Sequence, residues 1–114
     1  MKAEGVRMYG AHDIRLEEFE LPQIKEDEIQ LKIMSDSICM STWKEVKLGA
    51  GHIRVPDRIS ENPVIIGHEM SGMIEKVGKK WQKEYQEGER FVVLPGIPGQ
   101  MGAPGYSYEY FGGA

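Results

Sequence analysis

The chain carries a single cysteine, Cys39, among its 114 residues. An internal disulfide framework is therefore excluded, and the lone thiol is available as a ligand, a nucleophile or a small buried apolar group. No apolar run is long enough to cross a bilayer as a helix, and the amino terminus lacks the basic-then-apolar pattern of a secretory signal. The cytoplasm is the default location. Positive charge is in deficit: 14 Lys and Arg against 18 Asp and Glu leave a net charge of −4. Neither a nucleic acid nor a membrane is indicated as partner. No Gly-x-Gly-x-x-Gly follows a strand and opens a helix, so the dinucleotide fingerprint is missing. The Gly/Pro tract 95–105 has no Lys-Ser/Thr to close it and is not a phosphate-cradling Walker loop.

What remains is an ordinary soluble composition, 40% hydrophobic and 28% charged, with room for one domain and a modest core. Residues 3–9 and 14–21 read as two strands joined by a turn at 10–13, with Ile14 and Leu16 on one face of the second and Arg15 and Glu17 on the other. Residues 28–36 alternate most clearly, Ile29, Leu31 and Ile33 against Gln30, Lys32 and Met34. Ser41 or Thr42 can cap a short helix whose apolar side is Trp43, Val46 and Leu48 and which Gly49 stops. Residues 51–62 read as a polar loop, and 64–66, 69–77 and 90–94 as further strands, the last ended by Pro95. Short strands with turn signals and little helix predict a mainly β fold, a small and partly open barrel with one or two short helices.

Two separated segments carry the chemistry. Ser37-Ile38-Cys39-Met40-Ser41-Thr42-Trp43 supplies a thiol, and Ile65-Ile66-Gly67-His68-Glu69-Met70 supplies an imidazole and a carboxylate. Thiolate, imidazole and carboxylate are the donors zinc prefers, and the spacing is too long for a zinc finger, so the ligands must meet through the fold. Each residue also has a plainer reading. Cys39 can be a small buried hydrophobe, His68 a satisfied histidine at a strand start, Glu69 a surface glutamate and Ser41 a helix cap. Neighbouring side chains on an extended chain point to opposite faces, so His68 and Glu69 reach one ion only through a bend or bulge.

These segments, with residues 1–20, residues 27–37, Val77-Gly78 and Gly88-Glu89-Arg90-Phe91-Val92, resemble the amino-terminal catalytic domain of the medium-chain, zinc-dependent alcohol and polyol dehydrogenases. Three further stretches look like the L-sorbose-1-phosphate reductase branch of that family: residues 39–44, residues 61–69, and Ala103-Pro104-Gly105-Tyr106-Ser107-Tyr108. The resemblance implies a chaperonin-10-like barrel, with Cys39 and His68 as ligands of one catalytic Zn²⁺. It places Glu69 at the metal or just behind it, and makes Ser41 the relay for the substrate's hydroxyl proton. It implies NAD or NADP on a Rossmann domain absent from this chain. The small-molecule partner would be a sugar phosphate or polyol, and the enzyme a homo-oligomer. Residues 1–114 would then be a truncated catalytic domain, a fragment inactive by itself.

Two departures stand out. Relatives commonly have Asp directly after the Ser or Thr and His two residues further on, where this chain has Thr42 and Lys44. The tract 95–105 holds no cysteine in the place where many relatives carry a four-cysteine lobe, so no structural zinc is expected. Lys44, Lys47, His52, Arg54 and Arg58 form a locally basic stretch, and Lys44 is the candidate for a phosphorylated substrate; a solvated face is the plainer account. The Tyr106, Tyr108 and Tyr110 alternation suggests packing on a sheet. Two alternatives remain: a zinc-free reductase domain of the same superfamily, and a non-catalytic barrel serving as an interaction module.

Overall fold

The computed structural model describes residues 1–53, 55 and 57–93. The expected strand at 90–94 is described only to Val93. Arg54, the 95–105 loop, the place of the missing cysteine lobe and the three alternating tyrosines lie outside the described residues.

Strand β1 (Lys2–Gly10) pairs antiparallel with β2 (Asp13–Glu20) through the two-residue turn Ala11-His12. On its other edge β1 takes the short β4 (Val64–Ile65), giving a sheet in the order β2-β1-β4. A second sheet has the order β3-β5-β6, formed by Ile29–Asp36, Met70–Val77 and Arg90–Val92. One helix, α1 (Met40–Leu48), and a 3-10 turn (Gly49–Gly51) connect the sheets. The chain is thus mainly β, with two small antiparallel sheets that stay open, as the sequence predicts. No helix among the described residues is long and apolar enough to cross a membrane.

Pleating sorts the first sheet into two faces. Val6, Met8, Ile14, Leu16 and Val64 share one face by register. Met8 and Val64 are buried with Val55 and Ile59, and Val46 and Ile66 pack against them. The apolar face extends beyond this cover: Leu16 is 67% exposed and Ile14 48%. The opposite face is a polar ladder. Tyr9 donates its hydroxyl to Glu17 at 2.7 Å, which holds the phenol above its ordinary pKa. Arg7 bonds Glu17 at 3.1 Å and the Pro63 carbonyl at 3.2 Å while lying over the Phe19 ring.

Four local expectations are corrected. The loop 51–62 is not merely polar, since Val55 and Ile59 are 5% and 3% exposed and complete the core. Helix α1 buries Glu45, while Trp43 and Leu48 face outward. Cys39 rather than Ser41 or Thr42 occupies the N-cap, and makes no side-chain cap bond. In β3, register shifts after Gln30 and after Ile33 break the simple alternation, so Gln30 is buried and Ile33 is 44% exposed. The Gln30 amide donates to Glu75 at 2.6 Å.

Central strand β5 passes so close to β3 that a Cβ on Gly72 would run into the Lys32 carbonyl oxygen and the Ile33 backbone. Gly72→Ala is therefore expected to cost about 2–3 kcal/mol and to lower the thermal midpoint by on the order of 10 °C. Differential scanning calorimetry measures it; an unchanged midpoint would show that the two strands separate freely there.

Candidate metal centre and adjoining cleft

The two chemical segments lie at the ends of paired strands. Asp36, the last residue of β3, stands opposite Met70, the first of β5. The chain leaving β3 and the chain entering β5 therefore run side by side beyond the sheet. Two bonds fasten them: Ser37 donates its N–H to the Glu69 carbonyl at 3.2 Å, and Glu69 donates its N–H to the Asp36 carboxylate at 3.1 Å. Cys39 follows directly as the helix N-cap, and His68 precedes Glu69.

Gly67 produces the bend that an extended chain lacks. Its φ is 103°, in a region that side chains other than hydrogen rarely enter, and a Cβ there would collide with an Asp36 carboxylate oxygen. Beyond this bend, donor atoms of Cys39, His68 and Glu69 all lie within 4.8 Å of one another. Burial grades across the set: His68 is 7% exposed, Cys39 half-buried and Glu69 exposed. The His68 Nδ1 atom is enclosed and has no hydrogen-bond partner among the described residues. Leaving such a nitrogen unpaired costs about 1–3 kcal/mol. Sulfur, nitrogen and oxygen donors converging from a buried to an open side fit zinc, with room for a further ligand.

Ser41 lies in the first turn of α1 and donates its hydroxyl to Cys39 Sγ at 3.2 Å. Lys44 is exposed and is not among the residues that line the adjoining cleft. That cleft, about 520 Å³, is walled by Val6, Ile14, Ile38, Trp43, Val46 and Ile66, with Asp36, Ser37 and Gly67 among its other lining residues. Thr42, which stands where relatives commonly have Asp, also lines it, with its Oγ1 enclosed and without a partner among the described residues. Sequence reasoning missed Asp36, treating it as the end of a strand. Its signal was positional: a carboxylate where β3 ends, three residues before the cysteine.

Residues 25–112 match the family described as alcohol dehydrogenase GroES-like domain. The chain is 46% identical over 110 residues to the L-sorbose 1-phosphate reductase of Klebsiella pneumoniae, a match covering 95% of this chain and 27% of that protein. It is 48% identical over 106 residues to the mannitol-1-phosphate 5-dehydrogenase of Aliivibrio fischeri, covering 91% of this chain and 25% of that one. Among solved structures, 2R,3R-butanediol dehydrogenase from Bacillus subtilis is similar with a TM-score of 0.71 and 30% identity, over 98% of this chain and 34% of that one. The chain spans about a quarter of the length of the curated relatives it matches.

Gly67→Ala is expected to weaken zinc binding by about 10–100-fold, the usual cost of disturbing what orients a ligand. Competition with a chromophoric chelator measures this. Unchanged affinity would show that the bend at Gly67 does not position His68 and Glu69.

Proposed function

Because the chain belongs to the family of alcohol dehydrogenase GroES-like domains, we propose that it is the substrate- and zinc-binding part of an NAD(P)-linked oxidoreductase. The reaction interconverts an alcohol of a sugar phosphate or polyol with its ketone, L-sorbose 1-phosphate reduction being the leading case. The observation that carries the reading is the donor set itself, Cys39, His68 and Glu69 with ligand atoms within 4.8 Å of one another. Neither a zinc-free reductase nor an interaction module would have a use for that convergence.

Zinc, when bound, supplies Lewis-acid polarisation of a substrate oxygen. The chain's own residues do the rest. Cys39 and His68 are the firm donors, one fixed as the helix N-cap and the other enclosed. Glu69 completes the set from the open side, where its exposed carboxylate can also exchange with water or take up a proton. Ser41 holds its hydroxyl beside the Cys39 sulfur at 3.2 Å, next to the donor set. A hydroxyl both donates and accepts, so Ser41 can receive the substrate's proton and pass it outward. The nicotinamide that exchanges the hydride is held elsewhere in the enzyme.

Elemental analysis after dialysis should find close to one zinc per chain, lost in the Cys39→Ser/His68→Ala variant. In the full-length enzyme, Ser41→Ala should retain zinc while kcat for L-sorbose 1-phosphate falls by about 10²-fold or more. Wild-type turnover by the Ser41 variant would remove the relay, and zinc retained by the double variant would remove the proposed donors.

A further inference from the structure

The His68 side chain is enclosed, yet its ring is not held through Nδ1, which has no hydrogen-bond partner among the described residues. A metal-binding imidazole ordinarily donates its second nitrogen to a carboxylate, a carbonyl or a water, and that bond fixes the ring. Here the ring is oriented by its packing and by the backbone that carries it. Gly67, just before it, permits the bend but does not enforce it, because glycine enters many backbone conformations at little cost.

Resting on the zinc reading above, we propose that Asp36 is the positioning residue of the donor set: its carboxylate clasps the backbone on both sides of His68 and turns the imidazole and the Glu69 carboxylate toward Cys39 before an ion is bound.

The clasp consists of contacts on either side of one residue. On the carboxyl side of His68, Glu69 donates its N–H to Asp36 Oδ1 at 3.1 Å. On the amino side, Oδ2 of the same carboxylate occupies the space that a Cβ on Gly67 would need. A carboxylate carries two acceptor oxygens on one planar group, so a single side chain can restrain three consecutive residues. Ser37 adds a backbone bond from its N–H to the Glu69 carbonyl at 3.2 Å.

Asp36 is itself anchored. It is the last residue of β3 and is registered against Met70. Met70 is held from its other edge as well, where Val93 donates its N–H to the Met70 carbonyl at 2.9 Å. The carboxylate therefore projects from a fixed strand end onto a segment that has just left its own strand. Asp36 is exposed and stands outside the apolar core, so its truncation empties no packed cavity. Truncation would instead release the Glu69 amide to water and leave the φ of 103° at Gly67 without the oxygen that borders it.

Zinc affinity and amide exchange in the full-length enzyme test the clasp. In competition with a chromophoric chelator, Asp36→Ala should bind zinc about 10–100-fold more weakly than wild type. Asp36→Asn keeps one acceptor oxygen and should recover most of that loss. Ser35→Ala removes the neighbouring hydroxyl pair with Ser71 and should bind zinc as wild type does. In the metal-free enzyme, hydrogen–deuterium exchange of overlapping peptides should show the Glu69 amide exchanging about tenfold or more faster in Asp36→Ala, with the amides of β5 beyond Met70 unchanged. The proposal is overturned if Asp36→Ala binds zinc as wild type does or if its Glu69 amide stays protected. It is overturned equally if β5 loosens along its length, since the loss would then be one of folding. Wild type that takes no zinc yet shows the Asp36-dependent protection would sink the zinc reading and leave the clasp standing. Zinc bound equally by wild type and Asp36→Ala would do the reverse.

Discussion

The pairing of β3 with β5 is the constraint on which the rest of the candidate site depends. Asp36 opposite Met70 sets where the two strands part, and everything chemical hangs from that point. The Asp36 carboxylate then reaches across to the Glu69 amide, and the Ser37 amide reaches back to the Glu69 carbonyl. These two bonds join segments more than thirty residues apart into a single rigid corner. Gly67 permits the corner, because only a residue without a Cβ fits its φ and the space next to Asp36. Imidazole and carboxylate, neighbours in sequence, are thereby turned toward the same thiol.

The cleft follows from the same corner. Helix α1 starts at Cys39 and must run along the apolar face of the first sheet, where Val46 packs against Met8, Val55, Ile59 and Val64. Its packing leaves Ile14 and Val6 partly uncovered beside Trp43, an apolar trough rather than a closed core. Short open sheets bury little, and Met8 and Glu45 are the largest fully enclosed side chains among the described residues. The fold thus uses its limited apolar surface to position a helix and a trough close to the donor corner.

Much of this was legible in the sequence, and the reasons are specific. The hairpin of β1 and β2, the long β5 and the stop at Gly49 follow from alternation and turn residues acting locally. Cys39, His68 and Glu69 stood out because their donor types are rare together, and the fold brings them together. The misses are all tertiary. Val55 and Ile59 sit in a loop whose composition is polar, and only the sheet above them reveals that they are core. Trp43 and Leu48 looked like the inward side of α1, but the helix rests on Glu45 and Val46. Which lysine of the basic stretch lines the cleft, Lys47 and not Lys44, is a property of the packed helix that a charge run in sequence does not carry. Asp36 was overlooked for the same reason, since its partner is the Glu69 amide.

The central claim is that one thiolate and one imidazole, with a carboxylate at the open side, surround a single ion. Zinc K-edge X-ray absorption on the zinc-loaded protein tests this most directly. The account requires one sulfur scatterer at about 2.3 Å and the remaining nitrogen and oxygen scatterers at about 2.0–2.2 Å, with an imidazole signature among them. A first shell of oxygen and nitrogen alone, with no sulfur, would contradict it, because Cys39 would then be a buried thiol and the corner at Gly67 would serve only the fold.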